Sequence, residues 1–182
     1  VTDNPFIAAI NGALGIIENN YSYDSVLGFL RTGMSGMERE DIDLLDNYCV
    51  AVGIRGRAKW HEPWIRKFRG TVNNTDLEKL NLLRTMITDM LDPLEEVIKS
   101  KESDVADMVK ALYEFLVRED MEKKVSVLND SEYTGDEYTQ LYKKVIEVLD
   151  KMYALLGSEK VGIKEFNKIL ASGFQEIKIG PV

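Results

Sequence analysis

Apolar side chains recur along this chain every three and four residues, the period that places them on one face of an α-helix. Phe6, Ile7, Ile10, Leu14 and Ile17 make the first stripe. Asn4-Pro5 opens it, with Asn as N-cap and Pro in the first helical position, and Asn19-Asn20 closes it. Ser22 caps a second helix with Tyr23, Val26, Leu27 and Leu30 inward, and Gly33 stops it. Ser35 and Glu38 have capping-box spacing ahead of a third stripe, Ile42, Leu45, Cys49 and Val52, which ends at Gly53. Three short helices on short turns should pack as neighbours.

From 54 to 74 the period is lost. Gly56, Pro63, Gly70 and two Trp fall here, and the segment reads as a long ordered loop with one helical turn near Trp64. Ordered loops of this length inside a compact domain tend to be functional. Thr75 and Glu78 again have capping-box spacing, and Leu80, Leu83, Ile87, Met90, Leu94 and Val97 continue a stripe in which Pro93 predicts a kink or a break. Further helices are predicted from Ser103 to Arg118, from Met121 to Leu128, from Asp136 to Leu156 before Gly157, and from Ile163 through Phe174. Ile177-Lys178-Ile179 has a short β-like alternation. The fold expected is all-α: an irregular bundle of about seven to eight helices with one long ordered loop, a single domain over 1–182. The chain contains no repeat and no low-complexity linker.

Composition narrows the class. With 45% hydrophobic and 30% charged residues the chain can bury a core and is not of the disordered type. The longest apolar run, Phe6 to Ile17, is broken by Asn11, Gly12 and Gly15, so no membrane span is expected. The single Cys49 excludes an internal disulfide and a cysteine-cluster metal site, and with no signal peptide it points to the reducing cytoplasm. Val1 at the start and Pro181-Val182 at the end read as boundaries within a longer protein.

Formal net charge is −8, unfavourable for phosphate across the surface as a whole. The distribution matters more. Between Gly53 and Gly70 stand Arg55, Arg57, Lys59, Arg66, Lys67 and Arg69 against one acid, Glu62; this +5 leaves −13 on the rest of the chain. Basic side chains interleaved with Trp60, Trp64 and Phe68 suit single-strand or backbone contacts, cations on phosphates and rings on bases. The same residues suit two other roles: Trp anchors with Arg pairing to the acidic body, or a docking surface for a partner protein. All three remain open at this level.

Catalytic signatures are missing. There is no phosphate-binding glycine loop, no dinucleotide fingerprint and no nucleophile elbow, and one histidine cannot build a multi-histidine metal site. His61, beside Trp60 and Glu62, could serve as a general base only with a paired nucleophile, and none is evident. The acids Glu38, Glu40, Asp41, Asp43 and Asp46 could be imagined around Mg²⁺, but a solvated helix face and a dipole-stabilised first turn explain them better. The methionines fall mostly on apolar stripes as core filling, and Cys49 reads as an inert buried thiol.

Several ordered stretches carry a resemblance. They are Asn4-Pro5-Phe6, Tyr23-Asp24-Ser25-Val26, Leu30-Arg31-Thr32-Gly33, Asp41 through Tyr48, Gly53-Ile54-Arg55-Gly56 with Trp60, Ala111 through Leu116, and Ile177-Lys178-Ile179-Gly180-Pro181. In this order and spacing they resemble the middle region of the AddB/RexB family, the B subunit of the ATP-dependent helicase–deoxyribonuclease; Ile42 through Trp60 is the most specific part. The resemblance implies a helical insertion comparable to the 2B subdomain of superfamily 1 helicases, in a subunit that works with an A subunit on double-strand DNA breaks. It implies ATP, Mg and a 4Fe-4S cluster for the parent enzyme, all outside this region, and no active site within it. Two roles follow for the chain: guiding DNA through the basic loop, or docking on the A subunit without DNA contact. For the isolated domain, weak or no DNA affinity is expected.

Overall fold

The computed structural model describes residues 4–67, 74–127 and 135–179. Among them stand nine helices and no strand. In order they are α1 (Pro5–Glu18), α2 (Tyr23–Arg31), α3 (Arg39–Val52), α4 (Arg57–Trp60), α5 (Asn74–Ile98), α6 (Val105–Arg118), α7 (Met121–Val127), α8 (Gly135–Leu156) and α9 (Ile163–Ile179).

Helix α1 is the axis of the bundle. Phe6, Ile7, Ala9, Ile10, Ala13, Leu14, Ile16 and Ile17 are all buried, so the helix is apolar nearly all round. It touches α2, α5, α7, α8 and α9. Its start is as the sequence predicts: the Asn4 side chain accepts from the Phe6 and Ile7 amides, with Pro5 at the first helical position. Ser22 caps α2 by accepting from Ser25 N, and Gly53 ends α3 in the left-handed conformation at φ 77°.

Several expectations are corrected. Ser35 does not cap α3, which begins at Arg39; its hydroxyl accepts instead from Met37 N, too early in the chain to reach the helix. The turn in the long loop is α4, at Arg57–Trp60, rather than around Trp64. Pro93 does not break α5, because Leu91, Leu94 and Ile98 on either side of it are buried and hold the segment helical. The cap of α6 is Asp104, not Ser103, and it forms a reciprocal box with Asp107. Ile177-Lys178-Ile179 is the last turn of α9, not β-like, since three alternating residues without a partner strand cannot outweigh the helix they continue. Thr75 lies inside α5, and its side chain is outside the described residues.

The second half of the bundle is tied by its turns. The α8–α9 turn presents Glu159 O and Gly157 O to the Val105 and Ala106 amides at 2.8 and 3.0 Å, satisfying the free N–H groups that open α6. Asn167 on α9 donates to Glu18 on α1 at 3.0 Å, which joins the last helix to the first. No described helix is long and apolar enough to cross a membrane.

Candidate functional site

The segment between α3 and α5 is held down from three sides. Asn20 and Tyr21 take left-handed backbone conformations (φ 52° and 56°), an uncommon arrangement for residues with a Cβ. That turn sends the Tyr21 carbonyl to accept from Gly56 N at 3.1 Å and the Tyr21 ring beneath α4. There it lies 6.3 Å from Trp60 and 5.4 Å from His61, centroid to centroid.

Trp60 and Trp64 are 1% and 4% exposed and pack edge to face at 5.0 Å. Trp64 also stacks on Tyr48 of α3 at 5.2 Å, and its Nε1 donates to Lys59 O. On the other side α5 supplies a polar clamp. Asn81 accepts from Trp64 N at 2.8 Å and donates to Trp64 O at 2.9 Å, so one side-chain amide pairs with the loop as a strand would. Arg84, buried, donates to Trp60 O and to Asn81, with its guanidinium 6.0 Å from the Trp64 ring. Tyr48 Oη donates to Arg66 O at 2.7 Å. The two tryptophans are therefore anchors, and neither face is available to a base.

The six loop cations divide by environment. Arg57 Nε donates to Glu95, a buried carboxylate of α5, and that hydrogen bond raises the guanidinium's pKa further. Lys59 pairs with Glu62 at 3.0 Å in a mutually exposed contact. Arg55, Arg66 and Lys67 are exposed and make no ion pair among the described residues. Arg69 and Phe68 lie outside those residues. Between Trp64 and Arg66 the Ile65 side chain is 84% exposed.

His61 is engaged at both ring nitrogens, Nδ1 with Arg57 O and Nε2 with Asp92 Oδ1, each at 2.8 Å. Both partners are acceptors, so the two bonds together require the imidazolium, which has no lone pair to take a substrate proton. The acids of α3 are used structurally: Asp46 receives Tyr23 Oη and Arg31, and Asp41 pairs with Lys79 at 2.9 Å. Among the described residues no group of three or more metal-ligating side chains comes together.

Reasoning from sequence named the loop and its cations but missed Asn81, Arg84, Asp92 and Glu95. Within α5 they are ordinary polar positions of an amphipathic helix. Only Arg84 and Glu95 carried a signal, being charges at positions flanking the apolar stripe of Leu80, Leu83, Ile87 and Leu94.

No protein-family model matches the chain. It is 34% identical over 99% of its length to the B subunit of the ATP-dependent helicase/deoxyribonuclease of Lachnoclostridium phytofermentans. The proteins of the same name from Clostridium novyi and Clostridium acetobutylicum are 34% and 33% identical, again over 99% of this chain. The chain spans only 16% to 17% of the length of these relatives. It therefore belongs, as the counterpart of one stretch of those longer proteins, to the AddB/RexB family of helicase/deoxyribonuclease B subunits.

Proposed function

We propose that this chain is a non-catalytic helical module, comparable to a 2B subdomain, of a helicase–nuclease B subunit that acts with its A subunit in double-strand break repair and recombination. The observation that carries this reading is the end-to-end similarity to helicase/deoxyribonuclease B subunits. ATP, Mg and the 4Fe-4S cluster belong, on this reading, to other parts of the parent protein. A four-thiolate cluster has no ligand set in a chain whose one cysteine is the buried Cys49.

Within the parent protein the module guides DNA. Because Trp60 and Trp64 are turned inward, base stacking is not what the loop offers. Arg55, Arg66 and Lys67 offer charge to the phosphate backbone, an interaction that positions DNA without reading sequence. Exposed Ile65 favours a second reading, in which the same projection docks on the A subunit.

The test uses the full-length protein in complex with its A subunit, with Arg55, Arg66 and Lys67 changed to Glu. Arg57 is left alone, because a carboxylate there would face the buried Glu95. DNA-end affinity should fall, and the salt slope should become shallower by about 0.9 for each phosphate no longer neutralised. Unchanged DNA binding would sink the guiding role, and weakened association with the A subunit in the same variant would assign the loop to docking.

A further inference from the structure

Three buried polar atoms around the base of the loop have no protein partner: Tyr21 Oη, Glu95 Oε2 and Trp60 Nε1. Their residues are 0%, 4% and 1% exposed, so bulk solvent does not serve them. They come from three different elements, the α1–α2 turn, α5 and α4. Unpaired buried polar atoms are rare, and each costs about 1–3 kcal/mol of desolvation when left unmet.

The hydroxyl and the carboxylate are chemically complementary. Tyr21 Oη has a proton to give, and Glu95 Oε2 is the free oxygen of a carboxylate whose other oxygen takes Arg57. They are also neighbours. Glu95 is the charge that acts most strongly on the Tyr21 phenol, ahead of Asp92 and Arg57, and together with burial it pushes that phenol above its usual range. Yet they form no direct hydrogen bond. Two complementary buried groups, close enough to feel each other's charge but not bonded, are the arrangement in which one water completes the link.

We propose that a single internal water bridges Tyr21 Oη and Glu95 Oε2, with Trp60 Nε1 as its third partner. The bridge would join the α1–α2 turn, α4 and α5 at one point. It is a part of the loop's attachment independent of whether the loop meets DNA or protein. A water there accepts from Trp60 Nε1 and from the phenol and donates to the carboxylate, so all three orphaned atoms are met at once.

Two measurements on this chain test it. The first is a crystal structure at better than about 1.8 Å, ample for ordered internal waters. It should show one density peak within hydrogen-bond distance of Tyr21 Oη and Glu95 Oε2. The absence of such a peak, or a direct Tyr21–Glu95 bond, would overturn the proposal. The second is equilibrium unfolding of Tyr21→Phe, which keeps the ring and removes only the hydroxyl. Loss of a bridged hydroxyl should lower the folding equilibrium constant by roughly tenfold, whereas removing a truly unpaired one should leave it unchanged or raise it. A neutral or stabilising Tyr21→Phe would therefore refute the bridge even if no crystals grow.

Discussion

The thiol of Cys49 is 2% exposed, and burial, with the charge of Asp46 adding to it, pushes its pKa up from 9.0 to about 12. A neutral thiol in the folded state and a thiolate in the unfolded one means stability that is complete below pH 9 and is lost as pH climbs from there toward 12. Tyr21 and Tyr113, both raised above the usual 10.0 chiefly by burial, act in the same direction. Chemical denaturation at pH 8 and at pH 10.5 should show the decline, and Cys49→Ala should make it shallower; an identical decline in the variant would remove Cys49 from the account. The sequence placed this cysteine on an inward stripe, so its inertness was legible. Trp60 and Trp64 were not legible to the same degree. Rings alternating with cations serve base stacking and loop anchoring equally well, and what decides between them is Asn81 and Arg84 on α5, some twenty residues downstream. No local pattern encodes that meeting.

At the level of elements, the legible boundaries were those set by one residue acting on its own backbone: Asn4-Pro5, Ser22 and Gly53. The ones misread depended on competition between neighbours. Ser35 had the spacing of a cap but was taken by a nearer amide, and Pro93 had the chemistry of a breaker but sat between buried leucines. Glycines inside α1 show the same dependence on context. A Cβ at Gly15 meets nothing within 4 Å, while one at Gly12 would stand 2.6 Å from Phe29 Cδ1, the ring by which α2 packs on α1. Phe29 is 1% exposed and has no free space to turn into. Gly15→Ala should therefore stabilise the chain by about 0.5–1 kcal/mol through helix propensity alone. At Gly12 the same gain is set against overpacking of about 1–3 kcal/mol, so Gly12→Ala should be net destabilising. Opposite signs in thermal or denaturant unfolding are the expected outcome; two stabilising substitutions would mean that α1 and α2 are not packed this closely.

For the whole molecule the all-α class was written in the amphipathic stripes, and the sequence also exposed its charge asymmetry, +5 in the 53–70 segment against −13 elsewhere. What the sequence could not state is how much of that +5 is already neutralised. Arg57 is paired with Glu95 and Lys59 with Glu62, so the described part of the loop presents three unpaired cations to a ligand. Three phosphate contacts would give a salt slope of about −2.7 if nothing opposed them. The acidic body does oppose them, and its reach depends on the same variable: charges are screened beyond about 8 Å at physiological salt but act over about 30 Å at 0.01 M. Lowering the salt strengthens the local attraction and the distant repulsion together. The chain on its own should bind duplex DNA more weakly than micromolar at physiological salt, with a slope shallower than the three-contact value. Fluorescence anisotropy at both salt concentrations measures each quantity. Submicromolar binding, or a slope at or beyond the three-contact value, would show that the body does not repel the duplex and that cations other than Arg55, Arg66 and Lys67 reach it.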